Sequence, residues 1–93
     1  MGREILLVED EESLNRAVSL KLSREGYTVH SAFSIGEAGE LWHRHKVLLV
    51  ICDVDLPDGS GVDFCKELRK ESDVLFLFLT AMTGENDMMR GYR

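Results

Sequence analysis

Cysteine is scarce in this chain. Cys52 and Cys65 are the two among 93 residues, and they make no Cys-x-x-Cys pair of the kind that binds metal or cycles a disulfide. Packed free thiols are the expectation, one in a strand-like run and one in a helix-like run. Histidine is equally thin. His43 and His45 are two apart, which on a helix points them in different directions, and His30 lies in a separate strand-like segment, so no zinc site is expected from these three. Long apolar runs are missing: neither 5–8 nor 74–79 approaches the ~20 residues of a membrane span. The Met1-Gly2-Arg3 start is not followed by an apolar stretch long enough for a signal peptide. Positive charge is also short, with 11 Lys and Arg against 17 Asp and Glu for a net charge of −6. No basic cluster longer than His43-Arg44-His45-Lys46 offers the phosphate-tracking stripe that nucleic acid binding needs. These absences lead us to expect a soluble, cytoplasmic chain without direct nucleic acid or membrane contact. Its length allows one domain, 1–93, with a modest core.

What is present is a hydrophobic period that switches repeatedly between strand and helix, the pattern of a doubly wound α/β fold with a parallel sheet. Ile5 to Val8 reads as a first strand. Leu14, Ala17, Val18 and Leu22 share a helical stripe that Gly26 stops. Tyr27 to Phe33 alternates as a short second strand, and Ser34-Ile35-Gly36-Glu37 has the form of a capping box opening a helix to about Arg44. Ala38, Leu41 and Trp42 are the expected core face of that helix, with the only Trp used for packing. The unbroken run Val47 to Cys52 reads as a central strand covered on both faces. A turn-rich loop from Asp53 to Gly61 follows, then a helix carrying Phe64, Cys65 and Leu68 with Ser60 or Asp58 as its cap. Val74 to Leu79 forms a fourth strand ending at Thr80, and a last helix starts near Gly84 or Glu85 with Met88 and Met89 as its apolar contacts.

Two of these strands close on carboxylates: the first on Glu9 and Asp10, the third on Asp53. In an open parallel sheet, functional groups gather beyond the carboxyl ends of the strands, so the three acids are expected to share one pocket. Three carboxylates gathered in one pocket repel one another. A small hard cation such as Mg²⁺, taking oxygen ligands and keeping several waters, relieves that repulsion.

The segments ILLVEDEE, VLLVICDVDLPDGSGVDFCKELRK and LFLFLTAMTGENDMMRGY resemble the receiver domain of two-component response regulators over nearly the whole chain. The joint signature is the acidic pair after the first strand, the Asp-x-x-Leu-Pro-x-x-x-Gly after the third, and the Thr after the fourth, in that order. The resemblance implies a flavodoxin-like fold with strand order 2-1-3-4-5. It implies Asp53 as the phosphoacceptor and a Mg²⁺ ligand, Asp10 as a second ligand, Glu9 as a ligand through water, and the main-chain carbonyl of Asp55 as a third protein oxygen. Thr80 would hydrogen-bond a phosphoryl oxygen. The partner would be a sensor histidine kinase, and the output, in a longer parent, the regulation of transcription. Such a domain catalyses its own phosphorylation and dephosphorylation without being a turnover enzyme.

The same resemblance places a fifth strand, a fifth helix and a phosphoryl-pairing lysine beyond the point reached at Arg93. Tyr92 lies too early to be the family's aromatic switch residue, and Lys66 and Lys70 belong to the third helix, so the site is expected to accept phosphate slowly. A fourth strand left at the sheet edge, or the helix after it, would invite self-association. Two other readings stand beside this one. A receiver-like interaction module could act without phosphorylation. Asp53-Val54-Asp55 also resembles the nucleophile motif of haloacid-dehalogenase-like phosphatases, with Asp55 as acid/base, although that leaves Glu9 and Asp10 without a role. An EF-hand calcium loop is out of register: Gly59 falls at the seventh position and Phe64 where the twelfth-position Glu belongs.

Overall fold

The computed structural model describes residues 3–79. Thr80, Tyr92 and the expected last helix with Met88 and Met89 lie outside the described residues. Four strands, β1 (Glu4–Val8), β2 (Thr28–Ala32), β3 (Leu49–Asp53) and β6 (Leu75–Leu79), form one parallel sheet in the order β2-β1-β3-β6. Three helices connect them: α1 (Glu12–Arg24), α2 (Ile35–Arg44) and α3 (Gly61–Arg69). The expected order 2-1-3 followed by the fourth long strand is what the chain builds. The Asp53–Gly61 stretch, expected as loop, contains a two-residue antiparallel hairpin, β4 (Asp55–Leu56) with β5 (Gly59–Ser60).

The pleat of each strand divides the core in two. Leu6, Val8, Ala32, Val50 and Cys52 meet Ala38 of α2 and Phe64 and Leu68 of α3, with Leu41 and Trp42 packed against them. On the other face Ile5, Leu7 and Ile51 meet Val18 and Leu22 of α1. Helices on both faces make the sheet doubly wound, and they explain why β1 and β3 read as continuous apolar runs. Register fixes this division, because Leu6 and Val8 lie beside Val50 and Cys52 while Ile5 and Leu7 lie beside Leu49 and Ile51. β3 is central, as its composition requires, between β1 and β6. At β6, the edge strand among the described residues, Leu75 and Leu77 are exposed.

Helix ends follow local chemistry with two departures. Gly26 adopts φ +100° just past α1, a conformation that L side chains rarely adopt, so it is the stop the sequence suggests. Ser34 caps α2 by accepting from Glu37 N–H at 3.2 Å, but the Glu37 carboxylate reaches back to the Phe33 N–H at 2.8 Å rather than to Ser34 itself. Ser60 caps α3. Asp58 serves α2 instead, accepting from the N–H groups of Ile35 (2.8 Å) and Gly36 (3.0 Å) across the top of the molecule. Those two donors hold its carboxyl below the usual range. The stripe read on α1 is also shifted: Ala17 is exposed and the inward position belongs to Asn15.

Candidate functional site

The sheet changes direction between β1 and β3, since the chain winds from β1 outward to β2 and then returns to the other side of β1. The crevice beyond the strand ends at such a reversal is where α/β sheets bind their ligands. Glu9 and Asp10 leave β1 there, and Asp53 is the last residue of β3. Carboxylate oxygens from all three lie within 4.8 Å of one another, so the pocket expected from sequence is assembled. Glu9 and Asp53 are buried and Asp10 is exposed at the rim.

Several polar contacts hold the acidic turn. Glu9 N–H continues the β1–β2 ladder by donating to the Ala32 carbonyl at 3.0 Å. The Glu9 Oε2 atom accepts from Glu11 N–H at 2.7 Å, while Oε1 is buried with no hydrogen-bond partner. Glu11 in turn caps α1 through Leu14 N–H. The Asn15 side-chain amide donates to the Glu9 carbonyl at 2.9 Å and the Ala32 carbonyl at 3.2 Å, tying α1 to the turn and to the end of β2. Asn15 and Glu11 were not legible as site residues. The available signal was a polar residue at the i−3 and i−7 positions from Val18 and Leu22, facing the core.

Electrostatics at the site are strained in one direction. Burial pushes the Glu9 carboxyl up to about 7, and the neighbouring Asp53 and Asp10 charges add to this while the Glu11 N–H opposes it. Burial also raises Asp53, against the N–H groups of Asp55 and Val54 and with further repulsion from Asp10 and Asp55. Asp55 is exposed, and its carboxylate is not part of the convergent cluster. Among the described residues no ion pair engages Glu9, Asp10 or Asp53. Lys66 lies on α3 and Lys70 at its end, where Lys70 pairs with Glu67. An orphaned buried oxygen, an oxygen-only donor set and uncompensated negative charge together fit a hard divalent cation. Thr80 lies outside the described residues.

Gly61 permits the close approach that shapes this end of β3. Its N–H donates to the Val54 carbonyl at 2.7 Å, and a Cβ there would collide with the main-chain oxygen of Asp53. Cys52, beneath the acid, is a packed thiol. Burial and the Asp53 charge push it up to about 12, and its S–H donates to the Asp53 carbonyl at 3.3 Å.

A parallel sheet with helices on both faces and carboxylates converging at the β1–β3 reversal defines a flavodoxin-like α/β protein with an acidic crevice. Residues 5–93 match the family described as the response regulator receiver domain, and the chain belongs to it. It is 40% identical over 88 residues to a probable transcriptional regulator, ycf27, of Porphyridium aerugineum, an alignment covering 95% of this chain and 37% of that protein. The chain thus spans little more than a third of that relative's length. Among solved structures, it superposes on the non-phosphorylated HemR receiver domain of Leptospira biflexa with TM-score 0.78 and 41% identity, covering 96% of this chain and 73% of the other. The response regulator TrrA of Thermotoga maritima, solved in complex with Mg²⁺ and BeF, superposes with TM-score 0.80 at 28% identity, covering 97% and 79%. TrrA has also been solved in complex with the histidine kinase ThkA; that alignment has TM-score 0.79 and 32% identity over 87% of this chain and 71% of the other. No helix among the described residues is long and apolar enough to cross a membrane.

Proposed function

We propose that this receiver domain accepts a phosphoryl group on Asp53 from the phosphohistidine of a sensor histidine kinase, in a Mg²⁺-dependent reaction. The observation that carries the proposal is the convergence of Glu9, Asp10 and Asp53 at the sheet reversal, with Glu9 Oε1 buried and unpartnered. TrrA's structures with Mg²⁺–BeF and with a kinase support it by relationship.

An Asp53 carboxylate oxygen attacks phosphorus, the phosphorus–nitrogen bond to the kinase imidazole breaks, and that nitrogen keeps the electron pair and takes a proton. An acyl phosphate remains on Asp53. The N–H groups of Val54 and Asp55 favour the ionised nucleophile against the burial that raises it. Glu9, Asp10, Asp53 and the Asp55 main-chain carbonyl would hold Mg²⁺, which supplies neutralisation of the acidic pocket and of the incoming phosphoryl charge. Thr80, directly after β6, would donate its hydroxyl to a phosphoryl oxygen and transmit the event to the segment that follows. Later attack by water releases phosphate, so the domain is a self-resetting switch and not a turnover enzyme. The output we propose for it is regulation of transcription, by analogy with the ycf27 relative.

Incubation with acetyl phosphate and Mg²⁺, read by intact mass, is expected to add one phosphoryl group to the chain and none to Asp53→Asn. Phosphorylation persisting in Asp53→Asn would overturn the assignment. Repeated turnover of a chromogenic phosphomonoester would point instead to the phosphatase reading of Asp53 and Asp55.

A further inference from the structure

The other end of the sheet carries a cluster that the phosphoacceptor site does not use. Glu4 opens β1, His30 sits in β2 beside Leu6, and His45 is the residue that caps the C-terminus of α2. Alternation places Glu4, His30 and the core residue Ala32 on the sheet face covered by α2, so the cap of that helix comes down on the strand pair. Glu4 Oε1 is 2.8 Å from His30 Nε2 and 3.7 Å from His45 Nδ1. One ligand atom from each residue falls within 4.8 Å of the other two. The histidine spacing in sequence gave no hint of this, because His30 and His45 meet only through the β2–α2 packing.

We infer that Glu4, His30 and His45 form a second metal site, for a borderline divalent d-block ion of the Zn²⁺ class. Two imidazoles and one carboxylate are the donors that such ions take, with a fourth position left to water. Bonds of about 2.0–2.1 Å at tetrahedral angles put neighbouring donors about 3.3 Å apart, and the two separations from Glu4 Oε1 bracket that value. The imidazole rings stack with centroids 3.7 Å apart and planes 16° from parallel, so one ring must turn for both nitrogens to aim at one ion. The terminal χ2 torsion of histidine is broad. His45 is free to make the turn: it lies beyond the last helical residue, is about one-third exposed, and lines an open surface groove with Trp42 and Glu71. That groove is also the entry path for ion and water. His30, at 16% exposure, is the anchored ligand. The site is separated from the Asp53 pocket by the length of β1, about 17 Å from Glu4 to Glu9 at ~3.3 Å per residue. Its imidazoles distinguish it from the all-oxygen cluster, which selects harder cations. A bound ion would tie β1, β2 and the end of α2 together.

The test is calorimetric titration of the chain with Zn²⁺ in excess Mg²⁺, so that the acidic cluster is already engaged, with Co²⁺ substitution as a spectroscopic second readout. One equivalent of Zn²⁺ is expected to bind, to raise Tm, and, as Co²⁺, to give the intense visible bands of a four-coordinate site. His30→Gln and His45→Gln should each weaken binding by at least about tenfold, while His43→Gln and Asp53→Asn retain it. His45→Gln, changed beyond the last helical residue where the side chain is about one-third exposed, keeps the test valid should His30→Gln misfold. Absence of binding, affinity unaffected by His45→Gln, or loss of binding in Asp53→Asn would each overturn the inference.

Discussion

Neutralising Glu9 should remove a pH dependence of stability that this side chain creates. Glu9 is 1% exposed, and its carboxyl is pushed from an ordinary 4.5 to about 7. Between those values the folded chain holds a proton that the unfolded chain has released, so stability falls as pH rises through the interval and levels off above it. The full displacement is worth about 3 kcal/mol at about 1.4 kcal/mol per pH unit, and about 2 kcal/mol once water at the rim beside exposed Asp10 screens the pocket. Glu9→Gln preserves the shape and an acceptor for Glu11 N–H but has no charge to desolvate. Urea unfolding in chelator at about pH 5 and about pH 8 should therefore show a loss for the parent chain that exceeds the loss for Glu9→Gln by about 2 kcal/mol. Added Mg²⁺ at the higher pH should recover more stability in the parent than in the variant, because a ligand stabilises in proportion to its affinity for the folded state. Equal pH dependence in the two chains would refute the claim that burial, opposed only by Glu11 N–H, sets the state of this carboxyl.

Two further outcomes follow from geometry elsewhere. Gly61→Ala places a Cβ against the Asp53 carbonyl; displacing that backbone should cost about 2–3 kcal/mol, measured by urea unfolding, and a neutral substitution would contradict the packing. Asp58→Ala should lower the Tm at neutral pH by leaving the first N–H groups of α2 without their cross-loop acceptor. Because the Asp58 carboxyl is held low, its contribution is present at neutral pH and fades in acid, so the two chains should converge as pH falls.

The apolar runs Ile5–Val8 and Val47–Cys52 were legible because burial on both faces demands uninterrupted hydrophobicity. Their terminal acids were legible because a carboxylate is costly at the end of a buried strand unless something uses it. The doubly wound arrangement, with helices to either side of a parallel sheet, followed from the alternation of periods, whereas the strand order was implied only by the receiver-domain resemblance. The boundaries moved by a residue or two where the ladder, not composition, decides pairing: β3 runs Leu49–Asp53 and β2 stops at Ala32.

Local sequence therefore settled which residues could be strands, helices and acids, since period, capping and burial act over a few neighbours. Tertiary structure alone decided three partnerships that span long stretches of chain: Asn15 with the Ala32 carbonyl, Asp58 with the start of α2, and Glu4 with His30 and His45. A hydrogen bond or a ligand set depends on which surfaces the packed sheet brings within about 3 Å, and no spacing along the chain encodes that distance.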